Sequence, residues 1–174
     1  MSRTSPSDKR MLPANYEYPT NLWLGTSVEN QEAASKRIHY LLQHTGAAVR
    51  FLSCEPLLGP VDIRKYLQPA AGGAKIDWVI IGGEAGPHSR AINPLWATSL
   101  IRQCEEAGTA VFFKQRGDHI PHSRVAGNSR RYRVIPVFRA NGKTIPMVRV
   151  GKKAAGNLIR GRSWNEFPST ERAG

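Results

Sequence analysis

VRFLSCEPLLGP (residues 49–60) is a run of apolar, β-favouring residues that reaches a glutamate, Glu55, directly before a proline. The same arrangement occurs twice more in the chain. NLWLGTSVENQ (21–31) reaches Glu29, and DWVIIGGEAGP (77–87) reaches Glu84. The three glutamates are spaced by 26 and 29 residues, and each stands two positions after a Ser or Gly. The pattern indicates a structural repeat that carries a carboxylate at the end of each apolar run.

Four short apolar runs, at 22–27, 49–53, 78–83 and 110–115, are typical of parallel strands covered on both faces. The first connection has apolar residues at helical spacing and predicts a helix that ends at Gly46. The last connection predicts a helix with Asn93 as N-cap, Pro94 in its first turn and Gly108 as its stop. The looser middle connection has room for a short helix around 62–67.

These units predict an α/β fold with a parallel sheet and right-handed crossovers. A closed eightfold barrel takes about 250 residues, so four units form an incomplete, half βα barrel. Half a barrel leaves open strand edges. We expect the N-terminal arm, the basic residues 116–162, a second copy or a foreign protein to cover them.

Ligands of parallel α/β folds lie at the carboxyl ends of the strands, where the repeated glutamates fall. Candidate site residues there are Glu29, Glu55, Glu84 and Lys114, with Ser27, Asn30, Ser53, Gly82, Gly83 and Gln115 as further ligand contacts. The alternative is that each is a solvated residue at a strand end, or bonds the backbone of the next loop. Cys54 and Cys104 are 50 positions apart and form no C-x-x-C pair, so we predict buried, reduced thiols and no metal site.

The net charge of +12 is concentrated in residues 116–162, which we call the basic tail. It carries twelve Lys or Arg and one acid, Asp118. Alternating basic and apolar residues around Asn141-Gly142 predict a β-hairpin, and GKKAAGNLIRGRSW (151–164) predicts a short helix. Candidate phosphate or partner contacts are Arg124, Arg130, Arg131, Arg133, Arg139, Arg149, Lys152, Lys153, Arg160 and Arg162, with Tyr132 or Trp164 for stacking. A solvated charged face is an equal alternative.

Composition divides the chain into a Ser- and Pro-rich arm (1–20), an α/β core (21–118) and a basic appendage (119–174). We expect the arm to be flexible. No apolar stretch has the length of a membrane span, and residues 1–19 lack the apolar centre of a signal peptide. These features predict a cytoplasmic protein with no membrane partner.

Five ordered segments carry a resemblance to a known family: LWLGTSVENQ, RFLSCEPLLGPV, WVIIGGEAGP, FFKQRG and RVGKKAAGNLIRGRSWNEFP. Over residues 20–168 they resemble the C-terminal half of a phage- and plasmid-borne family of radical S-adenosylmethionine-like barrel proteins. In that family the N-terminal half supplies three cysteines for a [4Fe–4S] centre, and nothing in this chain matches that half. Three positions depart from the family pattern: Ala85 replaces serine, Arg116 replaces tryptophan, and Arg160 replaces an acid.

The resemblance implies that this chain alone holds no cofactor. Our first hypothesis is a non-catalytic binding protein of a phage or other mobile element, acting in the host cytoplasm on a protein or on nucleic acid. An inhibitor of host defence, such as one that blocks a CRISPR effector, is one form of it. The second is a subunit of a split radical enzyme whose cluster comes from another chain. The third is a Mg²⁺-dependent hydrolase or nuclease that uses the three glutamates.

Overall fold

The computed structural model describes residues 18–69, 73–125, 132–140 and 143–169. The first sheet contains the strands β1 (Trp23–Ser27), β2 (Val49–Cys54), β3 (Trp78–Gly82) and β4 (Ala110–Gln115). The helices are α1 (Gln31–Leu42), α2 (Arg64–Leu67), α3 (Pro94–Ala107) and α4 (Lys152–Ala155). The second sheet contains β5 (His119–Pro121), β6 (Val134–Ala140) and β7 (Lys143–Arg149).

The four strands of the first sheet are all parallel and lie in the order in which they occur along the chain. When each strand is connected to the adjacent parallel strand by a right-handed crossover, all the crossover helices lie on the same side of the sheet. Side chains from α1, α3 and one face of the sheet form the main core, which includes Ile38, Leu52, Val79, Leu100, Ile101, Val111 and Phe113. The predicted α/β fold is confirmed: four parallel strands form an open sheet.

The prediction that the strands are covered on both faces is wrong. Alternate residues of β2, β3 and β4 are buried against the helices, but their neighbours on the other face are only half-buried. The runs contain no polar alternation because aromatic residues occupy the face of the sheet that points away from the helices. A second layer of helices is not the reason. The strands thus present one face to the core and leave the other accessible.

The outer edge of β4 is covered by residues 164–167, which we call the C-terminal strap. Phe113 N–H donates to Trp164 O at 2.7 Å, and Glu166 N–H donates to Val111 O at 3.1 Å. Asn165 forms an antiparallel bridge with Phe112. The segment that covers this edge follows the basic tail (116–162), so the cover is not the basic tail that the sequence led us to expect. At the other end of the sheet, β1 pairs with β2 and with no further strand of the described residues.

The second sheet is antiparallel with the order β5-β7-β6, and β6 and β7 form the predicted hairpin. The predicted turn residues Asn141 and Gly142 lie outside the described residues, as do residues 1–17 of the predicted arm. Within residues 151–164, where a short helix was predicted, only Lys152–Ala155 is helical, as α4. Ile159 and Trp164 lie in the main core, so part of the predicted appendage packs against the α/β unit.

Local signals at the helix ends were reliable for α3 and failed for α1. Asn93 accepts a hydrogen bond from Leu95 N–H, and Gly108 adopts the left-handed conformation that ends the helix. Helix α1 ends at Leu42 instead of reaching Gly46. Gly46 serves a different purpose, because a Cβ there would lie 2.3 Å from the ring of Tyr18.

Candidate functional site

One cluster of the predicted site residues forms where β2 and β4 end. Lys114 Nζ lies 3.1 Å from Glu55 Oε2, and Gln115 Nε2 donates to Glu55 Oε1 at 3.2 Å. Gly82 leaves room for this carboxylate, since a Cβ there would lie 2.8 Å from Glu55 Cδ. Three carboxylates, an ammonium and an amide are expected at this edge of the sheet, and the structure brings one of the carboxylates, Glu55, together with the ammonium and the amide.

The amide of Gln115 is incompletely satisfied. Its Nε2 also lies 3.4 Å from Gly83 O, yet Oε1 is buried and has no hydrogen-bond partner in the described part of the chain. Swapping the two amide atoms would bring two acceptor oxygens together at Glu55, so Nε2 belongs where it is. A buried acceptor without a donor is costly, and this one lies beside the Glu55 carboxylate.

The other two glutamates each contact an arginine of their own segment. Arg37 Nη1 lies 3.1 Å from Glu29 Oε2 and also donates to Ser27 O at 2.8 Å. Glu84 accepts from the Arg90 side chain at 2.9 Å and from Arg90 N–H at 2.8 Å. Those hydrogen bonds lower the pKa of Glu84 to about 2. Glu29, Glu55 and Glu84, which we call the rim, therefore follow adjacent strands but have separate cationic partners.

Several predicted ligand contacts have structural roles. The Asn30 side chain accepts from Ala33 N–H at 2.9 Å and caps α1. Ser27 and Ser53 are neighbours in the β1–β2 register. Gly83 allows close contact between two loops, since a Cβ there would lie 2.1 Å from Arg116 O. A ligand role for these residues stays a prediction.

The feature that sequence reasoning missed is an aromatic surface on the helix-free side of the first sheet. We call it the open face; its residues are Trp23, Phe51, Trp78, Phe112 and Phe167. Trp78 is the centre, with ring centroids 5.8 Å from Trp23, 6.0 Å from Phe51 and 5.2 Å from Phe167. Trp78 Nε1 donates to Glu166 O, which fixes the C-terminal strap to the sheet.

The open face remains accessible at both margins. The exposed fractions are 63% for Phe167 and 36% for Trp23. Gly25 permits the arrangement, because the ring of Phe51 occupies the place where a Cβ of residue 25 would be. The missed signal was the aromatic residue carried by each apolar run. Contiguous exposed aromatic surface is typical of a protein interaction site.

A second charged group links the two sheets at Asp118. Arg149 Nη2 lies 2.9 Å from its Oδ2, and Gly86 N–H and Ser89 Oγ donate to the same oxygen. Burial raises the pKa of Asp118, but these hydrogen bonds outweigh it and the pKa lies below the usual range. Arg149, predicted to contact a partner, is thus held by an internal carboxylate.

Arg116 is buried and donates to Leu158 O. Burial, with a contribution from nearby Arg124, lowers its pKa to about 10. The family position that usually holds tryptophan is therefore occupied by a guanidinium inside the protein. This charge is not available to a polyanion.

The other cations of the basic tail divide into two groups. Arg160 and Arg162 contact Glu105, at 3.0 and 3.5 Å. Exposed side chains for which no ion pair is found in the described ranges are Arg124, Arg133, Lys152 and Lys153. Arg130 and Arg131 lie outside the described residues, as does the side chain of Arg139.

The prediction that Trp164 could stack on a base is wrong. Its ring is buried in the main core, its Nε1 donates to Ile159 O at 3.0 Å, and Arg162 lies over the ring at 3.5 Å. Tyr132 is exposed and stays a candidate. The sequence shows an aromatic residue in a basic segment but does not show which way it points.

Metal and thiol chemistry find little support in the described ranges. They contain no group of three or more His, Cys, Asp or Glu side chains that could hold a metal ion. Cys54 and Cys104 are free and buried, as predicted. Burial raises the pKa of both thiols, that of Cys104 to about 12. Two protonated, enclosed thiols do not fit the three thiolates that a [4Fe–4S] centre requires.

A comparison of the sequence with models of protein families finds a match. The model of the DUF5131 family, proteins of unknown function, matches residues 2–168. The chain belongs to the DUF5131 family. No curated protein and no solved structure matches this DUF5131 chain significantly. The family description gives no activity, so the likeness to radical S-adenosylmethionine-like barrel proteins stays a prediction.

The helices of the DUF5131 chain are short. None of those in the described residues is long and apolar enough to cross a membrane. The longest, α3, has 14 residues.

Proposed function

We propose that the chain is a non-catalytic binding protein of a phage or other mobile element, and that its open face binds an apolar segment of a polypeptide. The observation that carries the proposal is the exposed aromatic cluster around Trp78, on a sheet that the described helices cover on one side only. Burial of such rings is the main favourable term in most protein association.

The charge of the open face favours a polypeptide over nucleic acid at this surface. Lys114 lies on the same face as Phe112, two residues along β4, and its ammonium is already paired with Glu55. Binding of a nucleic acid requires several cations placed against phosphates. Of the exposed cations, Arg133 directly precedes β6, and Lys152 and Lys153 lie in α4. A nucleic acid or an acidic surface would bind there, while an apolar segment binds the open face.

The test is an affinity pull-down of the tagged chain from its host, with and without nuclease. A Phe167→Ser variant removes the most exposed ring of the open face, and Leu95→Ser is its control, since Leu95 is an exposed apolar residue of α3. We expect a protein that survives nuclease treatment, is lost with Phe167→Ser and is retained with Leu95→Ser. Retention by Phe167→Ser would refute the assignment to the open face.

A charge-neutral variant of Arg133, Lys152 and Lys153 separates the second surface. If nucleic acid alone is recovered, and this variant loses it, the basic tail is the functional surface and the proposal fails. If the captured protein is a host-defence nuclease, inhibition of its activity by the purified chain supports the inhibitor form.

A second candidate is a subunit of a split radical enzyme, supported by the cluster of Glu55, Lys114 and Gln115 at the carboxyl ends of the strands. The unpaired Gln115 Oε1 is the particular observation in its favour. It requires another chain that carries three closely spaced cysteines. Anaerobic co-expression with such a neighbouring reading frame should yield a complex that contains iron; a complex without iron contradicts this candidate. A Mg²⁺ hydrolase has less support, since the rim carboxylates pair separately with Arg37, Lys114 and Arg90.

A further inference from the structure

Among the described residues, no strand pairs with the outer edge of β1, and the direction of its backbone groups can be deduced. Leu22 O accepts from Ala48 N–H, and Val28 N–H donates to Ser53 O, so both residues face β2. Backbone groups of successive strand residues point to opposite sides. Trp23, Gly25 and Ser27 must therefore direct their N–H and C=O groups away from β2. The Arg37 side chain agrees with this, because it reaches Ser27 O from outside the sheet.

The outward N–H and C=O groups of Trp23, Gly25 and Ser27 are evenly spaced about Gly25. They therefore match the same groups of a second β1 strand that runs antiparallel to the first. An antiparallel second β1 related by a two-fold axis at Gly25 would place Trp23 opposite Ser27 and Gly25 opposite its own copy. Each facing pair of this kind exchanges two hydrogen bonds. Ser27 O can still accept, because a carbonyl has two lone pairs and Arg37 uses one of them. The strand WLGTS contains no proline or lysine that would block such pairing.

The distribution of charge favours a second copy at this edge. Although the chain carries +12, the acids and bases near the β1 edge are paired: Glu29 with Arg37, and Glu32 with Lys36. The basic tail leaves from β4, at the other end of the sheet. Two copies can therefore meet at β1 while their excess positive charges stay far apart. Two copies cannot close a barrel by also using β4, because the C-terminal strap covers that edge.

We propose that two copies of the chain associate through antiparallel pairing of their β1 strands, with the two-fold axis beside Gly25. The result is one continuous sheet of two subunits in which the two open faces lie side by side. Trp23 of each subunit then lies at the junction, opposite Ser27 of the other. This association goes beyond the proposed polypeptide binding, since either can occur without the other.

The test uses the full chain and a matched pair of variants in sedimentation velocity over a wide concentration range. Ser27→Pro removes one outward N–H without touching a bond to β2, whereas Ser27→Ala keeps the backbone intact. We expect wild type and Ser27→Ala to dimerise alike, and Ser27→Pro to weaken association at least ~10-fold, because it removes one N–H donor from each of the two symmetry-related pairs of Trp23 with Ser27.

Circular dichroism establishes that Ser27→Pro is folded. If it is not, Trp23→Lys takes its place, because a lysine at the edge opposes strand addition and the site is already partly exposed. A nitroxide at Ser27→Cys reports the orientation. Antiparallel pairing about Gly25 separates the two labelled Cα atoms by about 15 Å, whereas parallel in-register pairing separates them by about 5 Å.

A chain that stays monomeric at every concentration overturns the inference, as does a dimer that Ser27→Pro and Trp23→Lys leave unchanged. A dimer weakened equally by Ser27→Ala and Ser27→Pro would depend on the side chain and also overturns it. If the monomer nevertheless captures a protein that Phe167→Ser loses, the proposed function stands while the dimer fails.

Discussion

Replacement of Trp164 by alanine should destabilise the whole α/β unit. The ring is 2% exposed and belongs to the same core cluster as the strands of the first sheet. Truncation of a buried tryptophan costs about 3–5 kcal/mol, out of the roughly 5–15 kcal/mol that stabilises a typical domain. Trp164→Phe keeps most of the ring burial and loses mainly the Nε1 bond to Ile159 O, so about 1–2 kcal/mol is expected.

The assay is urea unfolding at neutral pH, followed by circular dichroism because the substitution removes a fluorophore. The midpoint should fall strongly for Trp164→Ala and modestly for Trp164→Phe. Trp164→Ala should also associate more readily, since loosening the C-terminal strap exposes the edge of β4. A loss below about 1 kcal/mol for Trp164→Ala would show that the strap is not part of the core, and the argument that β4 is closed to partners would fail with it.

Three further predictions concern single groups. Burial lowers the pKa of His119 below its usual value of 6.5, so as the pH falls the unfolded state takes up a proton before the folded state does. The free energy of unfolding should therefore fall as the pH drops below 6.5. His119→Leu should abolish that pH dependence. Glu84 should titrate near pH 2 by NMR in the wild type and at a higher pH in Arg90→Ala; an unchanged pKa would contradict the ion pair. Gly83→Ala should cost about 1–3 kcal/mol in urea unfolding, because its Cβ would overlap Arg116 O, and a neutral result would mean that the two loops separate easily.

Local chemistry explains why much of the fold could be predicted. The four strands appear as apolar runs, and α3 appears as an apolar stripe between Asn93 and Gly108, because caps and periodicity act within a few residues. The carboxylate that follows each of the first three strands comes from the same repeat. Lys114 and Gln115 are expected near all three glutamates because the carboxyl ends of parallel strands lie at one edge of a sheet, and the contact that forms is with Glu55.

The errors arise where the answer depends on distant partners. A continuous apolar run does not alternate between apolar and polar residues, so it does not distinguish the two faces of a strand. The runs around Phe51 and Trp78 therefore do not show that one face of the sheet has no described helix packed on it. Trp164 was a candidate for stacking on a base because its sequence neighbours are basic. Its burial, however, depends on packing against a sheet whose strands end some fifty residues earlier in the chain. The arginines that pair with Glu29 and Glu84 were also missed, since Arg37 is eight residues further along, on α1, and Arg90 lies in a loop.

The C-terminal strap also has a consequence for how the protein is made. Phe113 is synthesised about fifty residues before Trp164, whose carbonyl satisfies its N–H. At a translation rate of about 5–20 residues per second, the edge of β4 waits roughly 3–10 s for its cover. During that interval the nascent chain exposes both edges of its sheet together with the open face. The nascent chain is therefore more prone to aggregate or to bind chaperones than the finished protein. A product truncated before the C-terminal strap would keep the edge of β4 exposed and would remain aggregation-prone.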